Sequence, residues 1–193
     1  MAFSVEVGTA TEAEALRVDG TAAEGFILFS GELTIGQTVL ATPGVTLLDR
    51  FTVHVASDAG RFSSFRGFVL PWNDALTRVR GLLLYLSDPV TPNVRENHDV
   101  HYFDPFSFTP RVKVTPGQLY LIGITGAFDP QNGMSAIAVT SNPGAYPEGD
   151  LVQLDIPGPV GRPRFLLHAN FRNWTRRPME YYDLVFRATL KGP

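Results

Sequence analysis

The chain has 193 residues, with 16 basic and 19 acidic side chains giving a net charge of −3, and it has no cysteine. Disulfide frameworks, thiolate metal sites and cysteine nucleophiles are therefore excluded, and no global field draws the chain to nucleic acid or anionic lipid. Fourteen Phe, eighteen Gly and fifteen Pro describe many short strands broken by frequent turns.

A chain of this length fits one large β domain, which can bury roughly 70% of the surface its unfolded form exposes. Met1 to Glu6 carry no basic flank and no long apolar run follows, so no signal peptide is expected. Leu82–Leu86 and Leu119–Ile124, the longest apolar stretches, fall far short of the roughly 20 residues of a membrane helix, and a soluble chain is expected. Of the basic residues 14 are Arg and only Lys113 and Lys191 are Lys. That ratio favours planar, hydrogen-bonded contacts, although GC-rich coding yields the same bias.

Residues 1–24 read as an arm carrying a strand and at most one helical turn. Glu6, Glu12, Glu14, Asp19 and Glu24 face one base, Arg17, and Thr11 with Glu14 has the spacing of a capping box before a short Ala-Glu-Ala-Leu helical turn. Such a segment has no core of its own and must dock on the domain or reach a neighbour.

From Gly25 onward strands follow one another, divided by Gly, Pro, Asn and Asp clusters. Phe26–Phe29 and Glu32–Leu40 precede a Thr42-Pro43-Gly44 turn. In Val45–Ala56, Phe51, Val53 and Val55 share one face while Arg50, Thr52 and His54 share the other, the pattern of a half-buried strand. Phe62–Leu70 follows with a bulge expected at Gly67, then a loop over Pro71–Asp74, a strand over Val79–Leu86, a Pro-rich connection over Ser87–Asn97 and a strand over Val100–Phe108.

Val112–Ile124 reads as the central hairpin. Pro116 presets φ for the second position of a type II turn, Gly117 supplies the positive φ of the third, and Leu119–Ile124 is apolar on both faces, as a strand covered on both sides should be. Asp129–Gly133, ending in Asn-Gly, predicts a second hairpin onto Met134–Thr140. A loop over Asn142–Gly149, a strand over Asp150–Ile156, a Pro-Gly loop over Pro157–Pro163 and a last alternating strand over Tyr182–Leu190 complete the chain. The expected architecture is all-β: one jelly-roll-like antiparallel β-sandwich over residues 25–193, preceded by the arm.

Six segments carry a family resemblance: Val45–Val53, Phe65–Trp72, Leu84–Ser87, Val114–Leu121, Ala145–Val152 and Asp183–Leu190. In order across about residues 37–190, they resemble a β-sandwich domain of uncharacterised bacterial exported proteins, many of which end in a PEP-CTERM-type sorting tail. The resemblance implies a jelly-roll-like fold without known catalytic residues, and no functional residue carries over from it. The chain as it stands shows neither that family's leader nor its sorting segment.

No nucleophile elbow, P-loop or dinucleotide fingerprint is present. In His98-Asp99-Val100-His101 an extended backbone points the two histidines apart, which suits no shared metal, and His54 and His168 stand singly in apolar strands. Carboxylate pairs such as Asp104 with Asp129, or Glu148 with Asp150, sit in or beside turns, where local hydrogen bonding accounts for them. No catalytic residue, metal or cofactor is assigned.

Two constellations remain. Trp72 beside Asn73 and Asp74, Tyr146 in Ala-Tyr-Pro-Glu, and Trp174 in Asn-Trp-Thr-Arg-Arg read as loop aromatics, each either a core plug or a flat platform for a sugar ring. Arg162, Arg164, Arg172, Arg176 and Arg177 fall with His168, Phe165, Phe171 and Trp174 in a stretch without an acid, while residues 1–32 hold six acids and one base. Such a basic stretch is either a solvated face or a contact surface. As a contact surface it predicts that the arm of one subunit, through residues such as Glu12 and Glu14, packs near the arginines of another. Nucleic acid is disfavoured as its partner by the overall charge, and the Asn173-Trp174-Thr175 sequon is read as chance. The functional expectation is a non-enzymatic module, first a self-assembling coat, surface-layer or virion decoration component, and alternatively a carbohydrate-binding module.

Overall fold

A computed structural model of the chain describes residues 15–17, 25–30, 33–57, 64–76, 78–92, 103–126, 134–140, 146, 148–155, 175–176 and 183–193. These form strands β1 (Ala15–Arg17), β2 (Gly25–Ser30), β3 (Leu33–Leu40), β4 (Leu47–Ser57), β5 (Arg66–Asn73), β6 (Arg78–Val79), β7 (Tyr85–Leu86), β8 (Asp104–Phe108), β9 (Val112–Lys113), β10 (Leu119–Thr125), β11 (Met134–Thr140), β12 (Leu151–Asp155), β13 (Thr175–Arg176), β14 (Asp183–Leu184) and β15 (Phe186–Lys191). Among the described residues the only helical piece is a 3-10 turn at Asp74–Leu76, and no helix is long and apolar enough to cross a membrane.

The protein is an all-β sandwich, and among the described residues every strand pairing is antiparallel. One sheet contains the order β2-β11-β4-β8, the other β3-β10-β5-β7. The chain crosses between them from β2 to β3 to β4 to β5, and again from β9 to β10 to β11 to β12, which is the winding of a jelly roll. Further strands widen this frame: β9 and β15 border β4, while β12 and β13 extend the second sheet beyond β3.

Alternation fills the space between the sheets. Leu48, Phe51, Val53 and Val55 of β4, Phe186, Ala188 and Leu190 of β15, and Tyr120, Ile122 and Ile124 of β10 meet in one buried cluster. Within it the Phe51 and Phe108 rings lie 5.0 Å apart and Phe65 meets Phe106 edge-on at 5.2 Å. A second cluster, of Phe68, Leu70, Trp72, Val79, Leu121 and Val152, covers the outer side of the β10 sheet, with Leu83, Leu86 and Leu119 packed against it. The two layers explain why β10 is apolar on both faces: it sits between β3 and β5 and is covered on both sides.

Pro116-Gly117 makes the expected turn but not the expected hairpin. The Gln118 N–H donates to the Thr115 carbonyl at 3.1 Å, with Gly117 at φ 79°. Yet β9 pairs with β4 in one sheet and β10 with β3 and β5 in the other, so the turn is an arch between sheets. Two-residue hairpins favour primed turns because these match strand twist; a type II turn splays its strands and delivers them to different layers. Thr42-Pro43-Gly44 repeats the device between β3 and β4, with Val45 N–H on the Thr42 carbonyl at 3.2 Å and Gly44 at φ 87°.

The Asn-Gly turn itself lies outside the described residues, but β10 and β11 belong to different sheets, so no hairpin joins them. Ala15 and Leu16 are strand rather than helical turn, because β15 offers a free edge to Ala15–Arg17 and one isolated helical turn is marginal. Gly67 is no bulge: register across β5 and β10 is unbroken there, and the missing Cβ makes room for the Phe108 ring, which would lie 2.5 Å from it. The expected strand over Val79–Leu86 is two short pieces, since Gly81 at φ 103° turns the chain and leaves Leu82 exposed.

Candidate functional site

Among the described residues, polar chemistry collects on the outer face of the β4 sheet. Alternation along β4 sends Phe51, Val53 and Val55 inward and leaves Arg50 exposed, with Thr52 and His54 half-buried on the outside. Next to them the pairing with β15 slips: Arg50 faces Thr189, Leu48 faces Leu190, and Asp49 is the extra residue of a bulge. Asp49 accepts a 2.9 Å ion pair from Lys191 Nζ.

Neighbouring strands complete the surface. Thr52 and Ser107 share a hydrogen bond of 2.8 Å between their hydroxyls, and Arg187 of β15 stands across from Thr52 on its other side. Lys113 of β9 faces Leu47 and is exposed. His54 Nδ1 lies 3.4 Å from the Val185 carbonyl, which anchors the ring at the end of this face. Arg187, Arg50 and Lys113 thus lie on three successive strands in a diagonal line, and among the described residues none of the three makes an ion pair.

The aromatics of the sequence reading sit elsewhere. Trp72 is 4% exposed and belongs to β5 rather than a loop, since the Pro71 carbonyl accepts from Arg80 N–H at 2.8 Å and strand pairing continues through Asn73. Asn73 is half-buried, and Asp74 is exposed at the start of the 3-10 turn. Tyr146 is 6% exposed; its ring meets Phe186 edge-on at 5.4 Å and its hydroxyl accepts the Leu40 N–H at 3.0 Å. Both rings are core plugs, which corrects the platform expectation at these two positions: large aromatic area was worth more inside than beside solvent.

Arg176 lies in β13, paired with Val152 at the end of the β10 sheet. Trp174, Glu12, Glu14, Arg162, Arg164, Arg172 and Arg177 lie outside the described residues, as do His98, His101 and His168. Among the described residues no three His, Asp or Glu side chains converge as a metal would require. The Arg187, Arg50 and Lys113 alignment was not anticipated. Alternation announces each outward side chain, but strands separated by long stretches of sequence bring them together.

No family model matches the chain, and no curated protein matches it. Solved structures similar to it include the clostridial cysteine protease Cwp84 after propeptide cleavage, with a TM-score of 0.46 and 10% identity over 89% of this chain and 38% of that one. A second is the structure of the cysteine protease and lectin-like domains of Cwp84, a surface layer associated protein of Clostridium difficile, with a TM-score of 0.47 and 8% identity over 87% of this chain and 36% of that one. The chain spans less than two fifths of the length of either.

Proposed function

We propose that the chain is a non-enzymatic interaction module, in its leading form a self-assembling component of a coat, surface layer or virion decoration. The outer face of the β4 sheet carries this reading: three exposed cations without an ion pair among the described residues form a surface suited to contact. The ends of the sheets add support. Acid-rich sequence flanks β1, at one end of the β4 sheet, and the Arg-rich stretch flanks β13, at one end of the β10 sheet. Opposite charge in two segments of one sequence favours joining between copies. The resemblance to PEP-CTERM sorted proteins belongs to the same proposal and supports its sandwich frame, not an activity.

Light scattering over a range of concentrations tests the assembly form. The intact chain is expected to exceed the mass of one subunit, and removal of residues 1–24 to lower it. A monomer at every concentration, or unchanged assembly after truncation, overturns it.

A second reading, a carbohydrate-binding module, draws support from the hydroxyls of Thr52, Ser107 and Thr189 set among the cations of that face. Glycan retention by a compact monomer would place this reading first.

A further inference from the structure

We propose that the outer face of the β4 sheet binds a linear acidic polysaccharide along the line Arg187, Arg50, Lys113. The inference rests on the carbohydrate reading of this face and names its ligand. Adjacent strands lie about 4.8 Å apart and rise about 3.4 Å per residue, which puts Arg187 roughly 8 Å from Arg50 and Lys113 roughly 10 Å beyond. Near-even steps of one cation per strand match a polymer whose carboxylates or sulfates recur along an extended backbone.

The ground between the cations decides the class of polyanion. Thr52 and Thr189 flank the step from Arg187 to Arg50, with Ser107 beside Thr52, while Leu47 and the Asp49–Lys191 pair lie along the step from Arg50 to Lys113; hydroxyls both donate and accept, as the hydroxyls of a sugar do. Arg50 and Arg187 each present a planar fork that grips a carboxylate or sulfate with two hydrogen bonds. An acidic protein would need apolar anchors, but the exposed large apolar residues among those described, Leu82 and Leu84, lie on the β6–β7 segment of the other sheet. Nucleic acid calls for a wider positive field than a chain of net charge −3 provides. Asp49 does not oppose the ligand, because Lys191 neutralises it within the bulge.

Calorimetric titration of the full chain tests the proposal, with polygalacturonate oligomers as the carboxylated probe, heparin oligosaccharides as the sulfated one, and dextran, polyglutamate and single-stranded DNA as comparisons. Binding of at least one acidic glycan is expected, with none of dextran. Arg50→Thr and Arg187→Thr, both exposed strand positions that Thr suits, should each weaken it roughly tenfold. The triple variant with Lys113→Thr should abolish it, while Arg80→Thr, an exposed cation on the other sheet, should leave it unchanged. The proposal is overturned if the triple variant, shown folded by circular dichroism, binds like the parent. Equal affinity for polyglutamate or DNA would also overturn it, since charge alone would then suffice. If neither acidic glycan binds, the ligand assignment falls while the light-scattering result still decides the assembly form.

Discussion

The Gly117 N–H donates to the Ala41 carbonyl at 2.6 Å, and the Ala41 N–H to the Gln118 carbonyl at 2.9 Å, so the two Thr-Pro-Gly arches are tied to each other as well as to their own strands. Val114 N–H adds a bond to the Thr46 carbonyl at 2.9 Å, and Thr115 N–H one to the Tyr120 hydroxyl at 2.8 Å. One end of the sandwich is therefore closed by backbone hydrogen bonds between segments 68 to 77 positions apart, with the Tyr120 hydroxyl bracing the second arch.

Substitution of either arch glycine should destabilise through the backbone alone. Gly44 and Gly117 have positive φ, and a Cβ at either would meet nothing within 4 Å. Gly117→Ala and Gly44→Ala are each expected to cost about 1–2 kcal/mol in urea denaturation, with Gly117→Asn milder. An unchanged midpoint would mean the turn relaxes to another type.

Gly123 should tolerate nothing larger. It faces Gly36 across β10 and β3, and a Cβ there would collide with the Ile35 carbonyl and the Gly36 Cα, which are backbone and cannot step aside. Gly123→Ala is expected to lose more than about 3 kcal/mol. Gly67→Ala, which would press on the Phe108 ring, should lose about 1–3 kcal/mol because a ring can shift. Comparing thermal unfolding of the two variants checks this order.

Tyr146→Phe keeps the ring and removes the acceptor for the Leu40 N–H. A loss of about 1 kcal/mol is expected, with glycan retention unaffected. Weakened retention at unchanged stability would restore Tyr146 as a ligand contact.

Burial first, and then the charge of nearby Asp88, push the Tyr85 hydroxyl above its usual value near 10. The folded state thus holds this proton more tightly than the unfolded chain. Its contribution is fully present below about pH 10 and is lost as pH rises through the elevated folded value. Ultraviolet titration should show a late-ionising component that Tyr85→Phe removes.

Much of this architecture was readable before any coordinates. Phe51, Val53 and Val55 against Arg50, Thr52 and His54 announced β4 and its two faces, and Pro116 with Gly117 announced a type II turn, because both signals are local. What the turn connects is decided by which layer receives the next strand, and the Asn-Gly signal misled for the same reason. Pro71 masked the continuation of β5 because a missing N–H reads as a break, whereas its carbonyl still accepts a bond. The cation line stayed hidden because Arg50 and Arg187 meet only once β15 has docked on β4.

Among the described residues, the β10 sheet is backed on its far side by a private apolar layer, while the far side of the β4 sheet carries exposed Arg50, Ser107, Lys113 and Arg187. The two broad sides of this domain are consequently not interchangeable. A partner that meets one of them finds hydroxyls and exposed cations, and a partner that meets the other finds the cover of an apolar layer.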